Sequence, residues 1–344
     1  MTSFYVNSRQ RKYKVTIGIS FLSSVFRKFS TQPCIFVSTP SIQKIHPQIF
    51  PPNMPFFLFP DGELAKEWGP VEKFLAYLSD IGASRKSICI AVGGGALGDA
   101  CGFAASLYHR GMPWVYCPTT LLSQADTCLG GKTAINIAHT KNVAGTFYPP
   151  MQVLIDLSFL KTLSQREIRS GLVEIWKHGL LKDKKLYLFF AKRSSFKNLK
   201  ISDYEFLVSR SLRVKKWYVK QDEREENVRV HLNLGHTLGH AIEAASHYEI
   251  PHGEAVAHGL VYSAFLSHKL GLCQKKTALE IQKIAKKLFP QSRQLPPVKA
   301  LIKKIKMDKK ASDGKIHFLC IKEIGLIVQK PLPIELISHL IRAF

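Results

Sequence analysis

Acidic residues are scarce in this chain. Only 25 Asp and Glu stand against 49 Lys and Arg, a formal charge of +24, and no acid precedes Asp61. A nucleic-acid binder would gather such an excess on one element, interleaved with aromatic residues or glycine. Here it is spread along the chain, densest in segments 182–200 and 275–310, without a nucleic-acid motif. Anionic substrates and a compositional bias account for the charge more simply. Cysteines are few and unpaired in pattern: Cys34, Cys89, Cys101, Cys117, Cys128, Cys273 and Cys320 are odd in number, scattered, and never spaced as C-x-x-C. That excludes a disulfide framework and points to reduced thiols in a cytoplasm. Apolar runs are too short or too interrupted by charge for a transmembrane helix, so no membrane is expected. Residues 1–16 carry Arg9, Arg11, Lys12 and Lys14, and Ile17–Phe29 is broken by serines and Arg27. This start reads as folded chain rather than a signal peptide. Neither an internal repeat nor a low-complexity linker is found.

What is present suits an ordinary globular protein. With 344 residues, 46% of them hydrophobic and 10% aromatic, the chain can build two domains with real cores. β-like runs at Tyr13–Ile19, Cys34–Ser38, Phe56–Phe59, Trp114–Cys117 and Val153–Asp156 alternate with helix-like segments near Leu22–Phe29 and from Asp61 to about Ser79. This alternation predicts βαβ units and a mainly parallel sheet. Beyond Ser158 helical patterns take over: Gln165–Leu181, Asp203–Asp222, Thr237–Ser246, Glu254–Leu270, Thr277–Leu288 and Val298–Lys304. A β-like pair, His317–Ile321 and Gly325–Val328, comes late. The expected division is an α/β domain over 1–157 and a mostly α-helical domain over 158–344.

The stretch Ile90–Lys141 carries the strongest local signal. Ile88, Ile90 and Val92 lead into Gly93-Gly94-Gly95, and an Ala-rich helix pattern starts at Gly98-Asp99. Strand, glycine turn and helix is the order by which a backbone cradles a pyrophosphate. Gly93, Gly95 and Gly98 satisfy G-x-G-x-x-G, a weak pattern alone. No Asp or Glu stands about 20 residues on to hold a ribose, so a nucleotide here would be held otherwise. Asp61 and Glu63, one βαβ unit earlier, could reach a ribose, with Lys66 nearby for a phosphate. Their plainer reading is a response to a helix dipole. Gly130-Gly131-Lys132-Thr133 resembles the end of a P-loop, but Asp126 occupies the position of its first glycine. Lys132 therefore reads as an anion-binding lysine on a tight turn.

The helical half offers metal ligands: Glu174, the pair His236 and His240, and His252. Residues four apart share a helix face, although such a histidine pair is more often structural. Thr237 stands where H-E-x-x-H would need Glu, which argues against a zincin protease. Two histidines and a carboxylate with one position open suit a catalytic Zn²⁺. Between these motifs run Lys215, Lys216, Lys220, Asp222, Glu223, Arg224, Glu225 and Arg229. Most read as a solvated helix face; a few could converge on a carboxylate or phosphate.

Taken together, GGGALGD, RGMPWVYCPTTLL, DTCLGGKTAIN, GLVEIWKHGLL, DERE, LNLGHTLGHAIE, HGEAV and MDKK occur here in the order seen in the 3-dehydroquinate synthases. The resemblance spans roughly Asp61 to Lys310. It implies an N-terminal Rossmann-like domain binding NAD⁺, a C-terminal helical domain, an active site in the cleft between them, and a homodimer in the cytoplasm. It implies Zn²⁺ or Co²⁺ on Glu174, His236 and His252, which leaves His240 to the substrate. It assigns the nucleotide to Asp61, Gly62, Glu63, Leu64, Ala65, Lys66, Gly95, Ala96, Leu97, Gly98, Asp99, Thr119, Thr120, Lys132, Lys141, Phe159, Leu160, Lys161 and Thr162. It assigns a sugar-phosphate substrate to Arg110, Asp126, Lys132, Asn142, Lys177, Lys215, Glu225, Arg229, Asn233, His240 and one of Lys309 and Lys310. Departures are mild: Thr127-Cys128 replace two serines, and Ala134 replaces a common Gly. The implied reaction converts 3-deoxy-D-arabino-heptulosonate 7-phosphate into 3-dehydroquinate and phosphate. Competing readings are another sugar-phosphate cyclase, a metal-dependent alcohol dehydrogenase of similar architecture, and a binding protein without catalysis.

Overall fold

The computed structural model describes every residue except Ser30, His139 and 309–314. It divides into two compact units: residues 1–164 with 204–224, and residues 165–203 with 225–344.

The first unit contains, in chain order, β1 (Thr2–Asn7), β2 (Lys12–Gly18), α1 (Leu22–Phe29), β3 (Cys34–Ser38), α2 (Pro40–Ile45), β4 (Phe56–Leu58), α3 (Trp68–Asp80), β5 (Ile88–Gly93), α4 (Gly95–Leu107), β6 (Trp114–Pro118), β7 (Lys132–Ile137), β8 (Thr140–Phe147) and β9 (Gln152–Asp156). A seven-stranded sheet runs β1-β2-β9-β6-β5-β3-β4. It is parallel apart from β1, which pairs antiparallel with β2. From β3 the chain steps outward to β4, returns past β3 to β5, and continues through α4 to β6. In such a sheet the carboxyl ends of the strands face the ligand. The central strands β3, β5 and β6 are buried at every residue, as strands covered on both faces must be. Phe26, Phe36, Ile90, Val92, Val115 and Leu154 lie in their shared core.

Three details around the glycine turns differ from expectation. The helix expected from Asp61 to Ser79 is two elements, a 3₁₀ turn over Gly62–Lys66 and then α3. Pro70 explains the break: it has no N–H and its ring would clash with the carbonyl four residues back, so it sits in the first turn of a new helix. α4 opens at Gly95, with Gly94 as its N-cap, rather than at Gly98. Gly130 and Gly131 form the expected turn, with φ 99° and 64°, but Lys132 and Thr133 already belong to β7, which pairs antiparallel with β8, a hairpin that was not expected.

α5 (Gln165–Leu181), α6 (Lys184–Lys192) and the start of α7 (Ile201–Gln221) belong to the second unit; from Tyr204 α7 belongs to the first. The second unit continues with α8 (His236–Ala245), α9 (His252–Lys269), α10 (Lys275–Leu288), α11 (Val298–Asp308), the hairpin β10 (Lys315–Glu323) and β11 (Leu326–Pro333), and α12 (Ile334–Arg342). Leu238, Ile242, Tyr262, Leu266, Ile305, Phe318 and Ile337 are part of a core that joins α8, α9, α11, β10 and α12. All seven cysteines are free thiols and all are buried. Among the described residues no helix is long and apolar enough to cross a membrane.

Candidate active site

In the first unit the glycine turn sits where β5 ends. A side chain at Gly98 would put Cβ 2.5 Å from the Tyr116 ring, so packing of α4 on β6 demands glycine there. At Gly95 an added Cβ would meet only Thr127 Oγ1, at 3.4 Å. The space over the first turn of α4 is therefore open, and free N–H groups at a helix start attract anions. Lys66, only 4% exposed, donates to Asp99 Oδ2 at 2.6 Å and to Asn142 Oδ1. Burial raises the Asp99 pKa above the usual carboxylate range, and Lys66 offsets only part of that. Asp61 accepts from Ser41 Oγ at 2.9 Å and makes no capping bond, while Glu63 accepts from Asn136 Nδ2 at 3.0 Å. Neither acid is engaged in capping its own turn.

The remaining residues assigned to a nucleotide are distributed as follows. Leu64 is exposed and Ala65 is buried. Leu97 is buried in α4, with Ala96 half-buried beside it. Thr119 is buried with its N–H on the Gly93 carbonyl, and Thr120 shares a hydroxyl hydrogen bond with Ser123. Lys132 and Lys141 are exposed on β7 and β8. Phe159 and Leu160 face the core, which leaves the backbone, Lys161 and Thr162 to meet a ligand; Thr162 Oγ1 lies 3.0 Å from His46 Nε2. Of the substrate residues in this unit, Arg110 is exposed on a left-handed turn (φ 63°) after α4. Asp126 Oδ1 lies 2.6 Å from Lys215 Nζ, both side chains nearly buried.

The second unit builds a compact ligand cluster from three helices. α5 supplies Glu174, α8 supplies His236 as its first residue, and α9 supplies His252 as its first residue. Two glycines of α9 bring these helices together. An added Cβ at Gly253 would fall 2.3 Å from Ser170 Cα on α5, and one at Gly259 would fall 1.8 Å from the Gly235 carbonyl oxygen just before α8. Gly235 itself has φ 81°, a left-handed conformation that suits glycine. As a result one ligand atom from each of Glu174, His236 and His252 lies within 4.8 Å of the others. His240, one turn beyond His236 with ring centroids 5.2 Å apart, is exposed and outside that triad.

Charge within the cluster is tightly balanced. Glu174 is 1% exposed and contacts the ammonium of Lys177, itself 2% exposed. Burial would raise the Glu174 pKa, but Lys177, with His236 and His252, outweighs it and holds the carboxyl well below its usual range. Burial, reinforced by Lys177, keeps His236 neutral well below the ordinary imidazole pKa. His252 goes the other way: burial disfavours its charge, yet Glu174 and Glu243 raise its pKa to about 10. Glu243 Oε2 lies 3.1 Å from His252 Nδ1. Elsewhere in this unit Arg229 is 1% exposed, and Asn233 Nδ2 donates to Glu225 Oε1 at 2.5 Å. Lys309 and Lys310 lie outside the described residues.

Two residues with a place in this geometry were not singled out by sequence reasoning. Glu243 lies seven residues after His236, two turns on along one helix face, a spacing that could have flagged it. Asn136 had no such signal, since its role depends on a hairpin that was not expected.

Known proteins sharpen this picture. Residues 56–170 match the family described as 3-dehydroquinate synthase N-terminal, and residues 171–311 match 3-dehydroquinate synthase C-terminal. A 3-dehydroquinate synthase of Dictyoglomus turgidum is 37% identical over 95% of this chain and 94% of its own length. Among solved structures, a 2-epi-5-epi-valiolone synthase of Streptomyces hygroscopicus, with NAD⁺ and Zn²⁺ bound, superposes with TM-score 0.87 at 25% identity over 98% of each chain. A 2-deoxy-scyllo-inosose synthase, in complex with carbaglucose-6-phosphate, NAD⁺ and Co²⁺, shares the fold with TM-score 0.87 at 23% identity over 99% of each chain. With both halves matched by the same family and a relative aligned almost end to end, the chain belongs to the 3-dehydroquinate synthase family.

Proposed function

We propose that this protein converts 3-deoxy-D-arabino-heptulosonate 7-phosphate into 3-dehydroquinate and phosphate, using NAD⁺ and Zn²⁺ or Co²⁺. The observation that carries the reading is the Glu174–His236–His252 triad, with its carboxylate buried and both imidazoles half-buried, within a chain matched along 56–311 to this family. The residues fit the metal: two imidazoles and a carboxylate are a common catalytic donor set, and both Glu174 oxygens are buried without a hydrogen bond of regular geometry. They also fit the nucleotide, because the space over Gly95 is open where α4 begins. Such an ion would supply Lewis acidity toward adjacent substrate hydroxyls, and NAD⁺ would supply a reversible hydride acceptor, so that no net oxidation results.

The chain's own groups bind and orient. Residues 1–157 hold the nucleotide through Asp61–Lys66, Gly95–Asp99, Thr119, Thr120, Lys132, Lys141 and 159–162 just beyond; residues 158–344 hold the metal and supply the larger share of the substrate contacts. Glu243 fixes the orientation of His252, as carboxylates behind a ligating histidine do. Arg229, Lys215 and Lys132 meet the carboxylate and phosphate of the substrate, Arg229 with a fork and the lysines as point charges. Arg110, Asp126, Asn142, Lys177, Glu225, Asn233 and one of Lys309 and Lys310 complete the pocket. His240, exposed beside His236, supplies an imidazole for proton transfer to substrate oxygens. A cytoplasmic homodimer is the proposed working form. With catalytic NAD⁺, each substrate consumed should release one phosphate without a lasting rise in NADH absorbance. NADH accumulating in step with substrate, and no phosphate, would hand the site to the alcohol dehydrogenase reading.

Protons report on the metal separately. A ligating imidazole must be neutral, whereas Glu174 and Glu243 hold a proton on metal-free His252 up to about pH 10. His236 is already neutral at pH 7 and releases nothing. Zn²⁺ binding at pH 7 should therefore expel about one proton, and apparent affinity should climb about tenfold per pH unit toward pH 10. Calorimetry in buffers of different ionisation enthalpy measures this directly. Binding without proton release would place the ion elsewhere than on His252.

A further inference from the structure

Asn136 is 4% exposed and uses both ends of its amide. Its Oδ1 accepts the backbone N–H of Asn142 at 3.1 Å, and its Nδ2 donates to Glu63 Oε1 at 3.0 Å. It stands where the β7–β8 register shifts, between Ile135 and Ile137. At such an irregularity a ladder bond is missing, and the side chain takes its place. The residue so anchored, Asn142, holds a left-handed φ of 56° and presents its own side-chain oxygen to buried Lys66, which also pairs with Asp99. One amide thus joins the hairpin to the 3₁₀ turn that carries Glu63 and Lys66. Leu at this position would orphan the Asn142 N–H, and Asp would set a second carboxylate against Glu63. Only a group that both donates and accepts fits.

We infer that Asn136 is a positioning residue that holds Glu63 and Asn142 in the arrangement that receives the nucleotide. The inference rests on the nucleotide reading given above. Asn136→Asp keeps the acceptor and loses the donor, so it should weaken NAD⁺ binding at least tenfold by calorimetry. In a Glu63→Gln background the donor is restored from the other side, because the amide introduced on the 3₁₀ turn can give its N–H to the carboxylate introduced on β7. There the same substitution should cost less than threefold relative to Glu63→Gln alone. Glu63 is exposed, so its single variant provides a folded reference even if Asn136→Asp is unstable. Equal losses in the two backgrounds would show that Asn136 does not act through Glu63, and would overturn the assignment. A readout without nucleotide accompanies it: in Asn136→Ala, exchange of the Asn142 amide hydrogen should accelerate at least tenfold. Unchanged exchange also overturns the assignment. Parent protein that binds no NAD⁺ while its Asn142 amide responds as stated would sink the nucleotide reading and leave the clamp between the two segments standing.

Discussion

Gly259→Ala is expected to cost both stability and metal. The new methyl carbon would lie 1.8 Å from the Gly235 carbonyl oxygen and 2.7 Å from its carbon, against backbone that has no flexible end to swing aside. Overpacking of this kind costs roughly 1–3 kcal/mol and sometimes more. The strain is relieved only if α8 and α9 move apart. His236 opens α8 and His252 opens α9, so separation of the helices separates two ligands. Ligand distances tolerate only about 0.2 Å, and Zn²⁺ affinity should fall at least tenfold. Gly239→Ala, at the same helix pair but with its nearest contact at 3.3 Å from Val256, should be clearly milder. A chelator titration alongside thermal melting measures both effects. If Gly259→Ala melts and binds Zn²⁺ like the parent, close approach at this point does not assemble the triad.

Glu174→Ala should be the most damaging single substitution at the cluster. It strands Lys177, whose ammonium is 2% exposed and contacts the Glu174 carboxylate. Removing one partner of a buried ion pair costs about 3–5 kcal/mol, chiefly because the other charge stays buried without compensation. The double variant Glu174→Ala/Lys177→Met removes that orphaned charge and should recover a large part of the loss. Neither should bind Zn²⁺ measurably. The pair also sets the acid response of metal-free protein. Because the folded Glu174 pKa is depressed, its contribution is present above the ordinary carboxylate range and is lost as pH falls toward the depressed value. Neutral His236 adds to that loss below the ordinary imidazole pKa, since the unfolded chain takes up a proton there that the folded chain refuses. Chemical denaturation of both variants checks the ordering. A single variant as stable as the double one would mean that Lys177 finds another partner.

Much of the fold is legible in the sequence. β3 and α5 occupy the expected residues, because an unbroken apolar run and a sustained helical period leave little choice. The residues that form the triad were visible as ligand types, and a resemblance grouped them. Why they meet was not visible: that depends on Gly253 and Gly259, which in sequence are merely two glycines within a helical pattern. The β7–β8 hairpin escaped for a different reason. Much of β8 is exposed and neither strand alternates cleanly, so the period-2 signal that marks half-buried strands is weak. Asn136 and its partners went with it. α12 was missed although Ile334, Ile337, Leu340 and Ile341 fall at helical spacing and are buried. That pattern was there to read.

The burial of all seven cysteines has a consequence for how this molecule ages. Thiolate is the form that reacts with oxidants, and burial raises the thiols of Cys89 and Cys117 well above their ordinary pKa. The folded chain is thereby kept from sulfenylation and mixed-disulfide formation, and its thiols become vulnerable only in molecules that have locally or globally opened. Cys89 and Cys101, with sulfurs 3.1 Å apart, would then be released together with the strand and helix that flank the glycine turn. Oxidative wear should therefore scale with the population of opened molecules rather than with the number of thiols the chain carries.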